Sequence, residues 1–173
     1  MLLSAFVDAR ELGIVTVEKA LVELTRNSYE PDICYFGPDK ASTIKPDLLY
    51  YPAPDLVVEV LSKSTQKNDR EIKFEDYAAH GVGEYWLIDP TRQTVELFSL
   101  DADTEAYALV GLYRMGDSVS SQTLAGFSIP VKAIFDAQAN MAALRTYCQR
   151  IHNNGLQHAK APEGSFRGFC VCG

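Results

Sequence analysis

PDLVVEVLS, residues 54–62, decides the fold and raises the first functional question. Its apolar run, Leu56, Val57, Val58, Val60 and Leu61, predicts a central strand covered on both faces of a sheet. Strand alternation puts Asp55, Val57, Glu59 and Leu61 on one face and Leu56, Val58 and Val60 on the other. Burying an unpaired glutamate costs several kcal/mol, so Glu59 needs partners from other elements.

The segments on either side supply them. SKSTQKND (62–69) is polar, with candidate N-caps at Ser64 and Asn68. REIKFEDYAAH (70–80) follows, with Phe74, Tyr77, Ala78 and Gly81 at helical spacing, which predicts a helix that Gly81 ends. GEYWLIDP (83–90), TVELFSL (94–100) and YALVGLYRM (107–115) read as further strands, and SIPVKAIF (128–135) leads into a helix over about 135–150. Upstream, MLLSAFVDAREL (1–12) reads as a short amphipathic helix closed by Gly13. IVTVEKALVEL (14–24), DICYF (32–36) and DLLYY (47–51) read as a meander of antiparallel strands. The order of elements predicts a mixed α/β sandwich over 1–150, with 151–173 as a flexible tail rich in Gly and Asn.

At 173 residues, 47% hydrophobic and 23% charged, the chain has the make-up of one soluble domain with a real core. Its four cysteines are scattered and no signal-peptide or membrane-spanning run is visible, so a reduced, cytoplasmic protein is expected. The net charge of −7 argues against a surface that coats polyanions generally, while leaving room for a local basic groove or a carboxylate cluster that takes a cation. No GxGxxG or P-loop pattern occurs, which excludes the common nucleotide cradles.

Asp32 opens DICYF, and a neighbouring strand would bring it beside Glu59. Two carboxylates held together repel unless a proton or a divalent cation lies between them, and Mg2+ is the economical choice, with Mn2+ as a substitute. Lys73, on the flank of the predicted helix, would lean over the end of the strand, where it can orient water and offset negative charge developing on a phosphate. Each residue also has a plainer reading. Asp32, Asp47 and Asp55 all follow proline, a common turn opening, and Lys73 could form a surface pair with Asp69 four residues earlier. His80 reads as a partner of helix-end carbonyls, Glu84 as a solvated end or a salt-bridge residue, and Gln66 as loop polarity. Cys170-x-Cys172 with His158 lacks the spacing of a zinc ribbon.

PDICYF followed by PDLVVEVLSKSTQKNDREIKFEDYAAHGVGEYWLIDP closely resembles the Uma-type putative restriction endonucleases, a bacterial branch of the PD-(D/E)XK nuclease superfamily. The resemblance spans about residues 1–137 and implies a restriction-endonuclease-like mixed sheet flanked by helices. It also implies a metal-dependent endonuclease acting on DNA, with a homodimer as one way to cut both strands. On the matching positions it implies Asp32 and Glu59 as metal ligands, Lys73 as the catalytic lysine moved to the following helix, and Asp55 as an accessory acid or strand-start cap. Leu61 holds the superfamily's usual lysine place, and Ser62-Lys63-Ser64 stands where the family often has Ser-Pro-Ser. Related sequences carry an N-terminal strand pair and an acidic or histidine residue near the site, ahead of the point matched by Met1. That departure motivates an alternative: a catalytically inactive nuclease-like domain that binds a partner or nucleic acid. A phosphohydrolase acting on free nucleotides is a third reading.

Overall fold

A computed structural model describes residues 1–18 and 20–158, with side chains through Gln149. In chain order the elements are α1 (Leu2–Asp8), β1 (Ile14–Val17), β2 (Val22–Glu23), β3 (Ser28–Tyr29), β4 (Ile33–Phe36), α2 (Pro38–Ala41), β5 (Leu56–Val60), α3 (Gln66–Arg70) and α4 (Ile72–Ala79). They continue with β6 (Glu84–Asp89), β7 (Thr94–Asp101), β8 (Ala106–Tyr113), β9 (Ser118–Ser120), β10 (Ser128–Pro130), α5 (Val131–Phe135) and α6 (Ala137–His158).

A six-stranded mixed sheet, ordered β1-β4-β5-β6-β7-β8, organises the fold. β5 runs parallel to β6, and every other neighbouring pair is antiparallel. A parallel pair needs a crossover, and α3 with α4 forms it. The central position expected of residues 54–62 follows from burial on both faces. Leu56 and Val58 join Trp86, Ile88, Phe6 and Val131 in one apolar cluster, on the side of α1, α5 and α6. Val57 joins Tyr85, Leu87, Cys34 and Tyr77 in another, under α4. Each such side chain, fully buried, stabilises the fold by about 1.5–3 kcal/mol, which is why an unbroken apolar run settles at the sheet's centre.

Glycine closes elements where the backbone turns left-handed: Gly81 ends α4 at φ +72°, and Gly13 follows α1 at φ +123°. A Cβ on Gly13 would lie 2.1 Å from the Phe36 carbonyl oxygen, so no other residue fits there.

Four expectations require correction. DLLYY is not a strand: the prolines around it remove ladder donors, Leu49 and Tyr50 stay exposed, and only Tyr51 makes an isolated bridge, to Val22. IVTVEKALVEL is not one strand but β1 and β2, and β2 folds back on β3. The polar stretch 62–69 is not all loop: it carries most of α3, separated at Glu71 (φ −117°, ψ −80°) from α4, which is the helix expected over 70–80. The last helix does not stop near 150; α6 runs through His158. Cys170, Cys172 and the His158 side chain, set aside above as a metal site, lie outside the described residues and side chains. Among the described residues, no helix is long and apolar enough to cross a membrane.

Candidate active site

β5 finishes at the end of the sheet where β4 begins, and that antiparallel register sets the first part of the site. Ile33 pairs with Val58, so Asp32, one residue before β4, comes level with Glu59. Its carboxylate accepts a hydrogen bond from the Val60 N–H at 2.6 Å, which fixes it against the end of β5.

Glu59 points to the α4 side and is 3% exposed. Lys73 Nζ donates to Glu59 Oε1 at 2.9 Å, and the Tyr77 hydroxyl donates to the same oxygen at 3.2 Å. Lys73 and Tyr77 are four residues apart on α4, so one helical turn presents both to the strand. The lysine has a second neighbour, Asp69, with Nζ to Oδ1 at 2.9 Å. Asp69 is 1% exposed, and its Oδ1 makes no hydrogen bond, so the contact is an ion pair without hydrogen-bond alignment. The pair with Asp69 read from the sequence therefore exists, but it is buried, and it does not compete with the contact to Glu59.

Two buried carboxylates thus share one ammonium. Burial pushes the Glu59 carboxyl up to about 7; Lys73 pulls against that shift, while the charges of Asp69 and Asp32 add to it. Burial alone would lower the Lys73 ammonium, but Glu59 and Asp69 together hold it above its usual value. The lysine is therefore doubly stabilised, and each carboxylate has only part of a counter-ion. Burial, followed by the negative charge of Glu59, raises the Tyr77 hydroxyl, so it stays a donor.

Asp55 stands at the other end of β5. Its carboxylate accepts from the Gly37 N–H at 2.6 Å and pairs with Lys40 at 2.8 Å, so it pins the start of α2 and the entry to β5. The structure does not bring it to the partners of Glu59, and of the two roles implied for it, the geometry fits the strand-start one.

Glu84 is neither solvated nor salt-bridged. It is fully buried and accepts from the Trp86 indole, the Ser121 hydroxyl (2.9 Å) and the N–H groups of Gln122 (2.8 Å) and Thr123 (2.6 Å). His80 does bond a helix-end carbonyl, that of Asp76 at 2.7 Å, and its other ring nitrogen meets Thr25. Gln66 is exposed at the start of α3.

Sequence reasoning missed the parts played by Asp69 and Tyr77. Asp69 had a visible signal, its spacing of four to Lys73, but not its burial. Tyr77 read as an apolar-face residue, and nothing in the pattern distinguished its hydroxyl from a Phe edge.

Mg2+ is commonly held by one or two carboxylates, with water and phosphate oxygens completing the shell. Asp32 and Glu59 suit that mode. Among the described residues, no group of three or more His, Cys, Asp or Glu side chains is arranged as an all-protein cage.

Comparison with known proteins narrows the reading. The sequence profile of the family described as Uma2, putative restriction endonuclease, matches residues 1–132. No curated protein matches. Among solved structures, a putative nuclease belonging to DUF820, from Anabaena variabilis, superposes with a TM-score of 0.62 at 19% identity, covering 78% of this chain and 74% of that one. At that identity the likeness establishes the shared fold.

Proposed function

The chain belongs to the Uma2 putative restriction endonuclease family, and from that premise we propose that it is a metal-dependent endonuclease hydrolysing DNA phosphodiester bonds. The observation that carries the reading is the buried Glu59, which shares one lysine with Asp69 and lies level with Asp32 at the end of the central strand.

Asp32 and Glu59 would hold Mg2+ or Mn2+, which when bound supplies Lewis-acid polarisation of a phosphoryl oxygen and a water of lowered pKa. Lys73 is placed to donate to the attacking water or to a non-bridging phosphate oxygen, offsetting negative charge as it develops. Tyr77 fixes the orientation of Glu59 from below. The apolar sheet around Val57 and Leu87 lowers the local dielectric, so each of these interactions counts for more than it would in water. Dimerisation would supply the second cut in a duplex.

A second reading, a non-catalytic domain that binds nucleic acid or a protein partner, is favoured by one contact. Lys73 lies 2.9 Å from Glu59 Oε1, an oxygen that a cation would compete for.

Cleavage of supercoiled plasmid, single-stranded DNA and free nucleotide, with Mg2+ or Mn2+, separates these readings when wild type is compared with Glu59→Ala and metal binding is followed by calorimetry. Metal-dependent nicking lost in the variant supports the nuclease. Metal binding without DNA cleavage moves the substrate elsewhere, to nucleotides if those are hydrolysed, and neither binding nor cleavage supports the non-catalytic domain.

A further inference from the structure

Asp69 is a carboxylate that the proposed chemistry does not use, and its burial demands a reason. An exposed Asp–Lys pair on a helix would cost little, whereas Asp69 is 1% exposed and leaves Oδ1 without a hydrogen bond.

Its surroundings hold it rigidly. The Tyr85 hydroxyl, from β6, donates to the Asp69 carbonyl at 3.0 Å, and the Asp69 N–H bonds the Thr65 carbonyl at 3.0 Å. The next residue, Arg70, is clamped to Glu96 of β7 by two hydrogen bonds of 2.8 and 2.6 Å. The end of α3 is thus fixed to two strands, although α3 and α4 are separated at Glu71, immediately before the turn that carries Lys73.

Lys73 Nζ lies 2.9 Å from Glu59 Oε1 and 2.9 Å from Asp69 Oδ1. A cation taken up by Glu59 would repel the ammonium and compete for the same oxygen. Without a second anion, Lys73 would leave for solvent and be lost to the site. With Asp69 in place it has a fixed counter-ion within reach of its present position.

We propose that Asp69 is a positioning residue that keeps the Lys73 ammonium at the site when Glu59 turns its charge to a bound cation. The step is a handover of one ammonium between two carboxylates, with no bond made or broken. It rests on the metal-dependent reading for its purpose, but the handover itself can be measured without metal.

Amine acetylation of Lys73, followed by mass spectrometry on the full chain, reads the handover directly. E59Q removes the negative charge of Glu59, and Lys73 should remain as slowly labelled as in wild type. Adding D69N to E59Q should raise the rate at least tenfold. If E59Q alone reaches the rate of the double variant, or the double variant stays at the wild-type rate, Asp69 does not hold the lysine and the proposal fails.

Mn2+ titration gives a second, independent arm that does not need the double variant at Glu59 and Asp69. D69N should weaken binding about tenfold, because Lys73 then rests on Glu59 alone. D69E should restore most of that loss, and D69N should have little effect in a K73M background. An equal loss with and without Lys73 would make Asp69 a ligand of the cation and overturn the positioning role. If wild type binds no Mn2+, the metal-dependent reading falls, while labelling still decides whether Asp69 retains Lys73.

Discussion

Glu59 and Glu84 are two buried glutamates on neighbouring parallel strands, and they face opposite sides of the sheet. Glu84 aligns with Leu56 at the entry to β5, whereas Glu59 aligns with Leu87 near its exit. Glu84 accepts four hydrogen bonds, three of which tie the loop over 121–123 to β6. Glu59 receives two, both on one oxygen, from a lysine already engaged with Asp69 and from a phenol. Burial is common to both, so burial alone does not nominate an active group. The shortfall in partners does: a carboxylate with unused acceptor capacity is ready for a cation, a proton or a water.

Glu84→Ala should produce the largest effect in the molecule. It strands the Trp86 indole N–H, the Ser121 hydroxyl and two backbone N–H groups, and should cost about 3–5 kcal/mol, seen as a lower urea midpoint. Glu59→Gln should do the reverse. Stability at neutral pH should rise, by up to about 3 kcal/mol, since a buried and imperfectly paired charge is removed, while metal-dependent cleavage falls at least ~100-fold. Equal destabilisation by the two substitutions would erase the distinction.

pH sharpens the same contrast. The Glu59 carboxyl is raised from 4.5 to about 7, so the folded chain holds this proton more tightly than the unfolded one. Its contribution to stability is fully present below about 4.5 and is lost as pH rises through about 7. The metal-free protein should therefore lose up to about 3 kcal/mol across that window, on top of other titrations. Subtracting the Glu59→Gln profile from that of wild type should isolate the slope. Mn2+ binding near pH 7 should release protons, because a cation needs the ionised carboxylate.

Much of the sheet was legible because its signals are local. The apolar run at 56–61 and the glycine at 81 each act through a few neighbouring residues. DLLYY misled because its composition suits a strand, while the deciding fact, prolines on both sides, lies just outside it. The site was legible in part: the level of Asp32 with Glu59 follows once β4 pairs antiparallel with β5. Nothing in residues 64–73 announces that Tyr85 and Glu96 clamp the end of α3, because those contacts join α3 to strands that come later in the chain. Asp69 consequently read as half of a surface pair, and its burial emerges only in three dimensions.

Tyr77→Phe tests the weaker of the two donors to Glu59. It removes one hydrogen bond of 3.2 Å without changing shape, so a loss of about 1 kcal/mol above pH 7 is expected, and a smaller loss below it, where Glu59 is protonated. A pH-independent loss would assign the phenol to packing alone.

Asp55→Asn should have the smallest effect and bears most directly on what makes a carboxylate functional. Asp55 shares a strand face with Glu59 and opens the Pro-Asp-Leu stretch, yet it resembles Glu84 in being satisfied, by the Gly37 N–H and by Lys40. Asparagine keeps an acceptor for Gly37 and loses only the half-exposed ion pair, so the cost should be about 0.5–1 kcal/mol. Mn2+ affinity and cleavage should stay at wild-type levels. A tenfold loss of affinity would mean that a fully partnered acid four positions along the strand still governs the cation, and hydrogen-bond shortfall would no longer be the property that separates the two ends of β5.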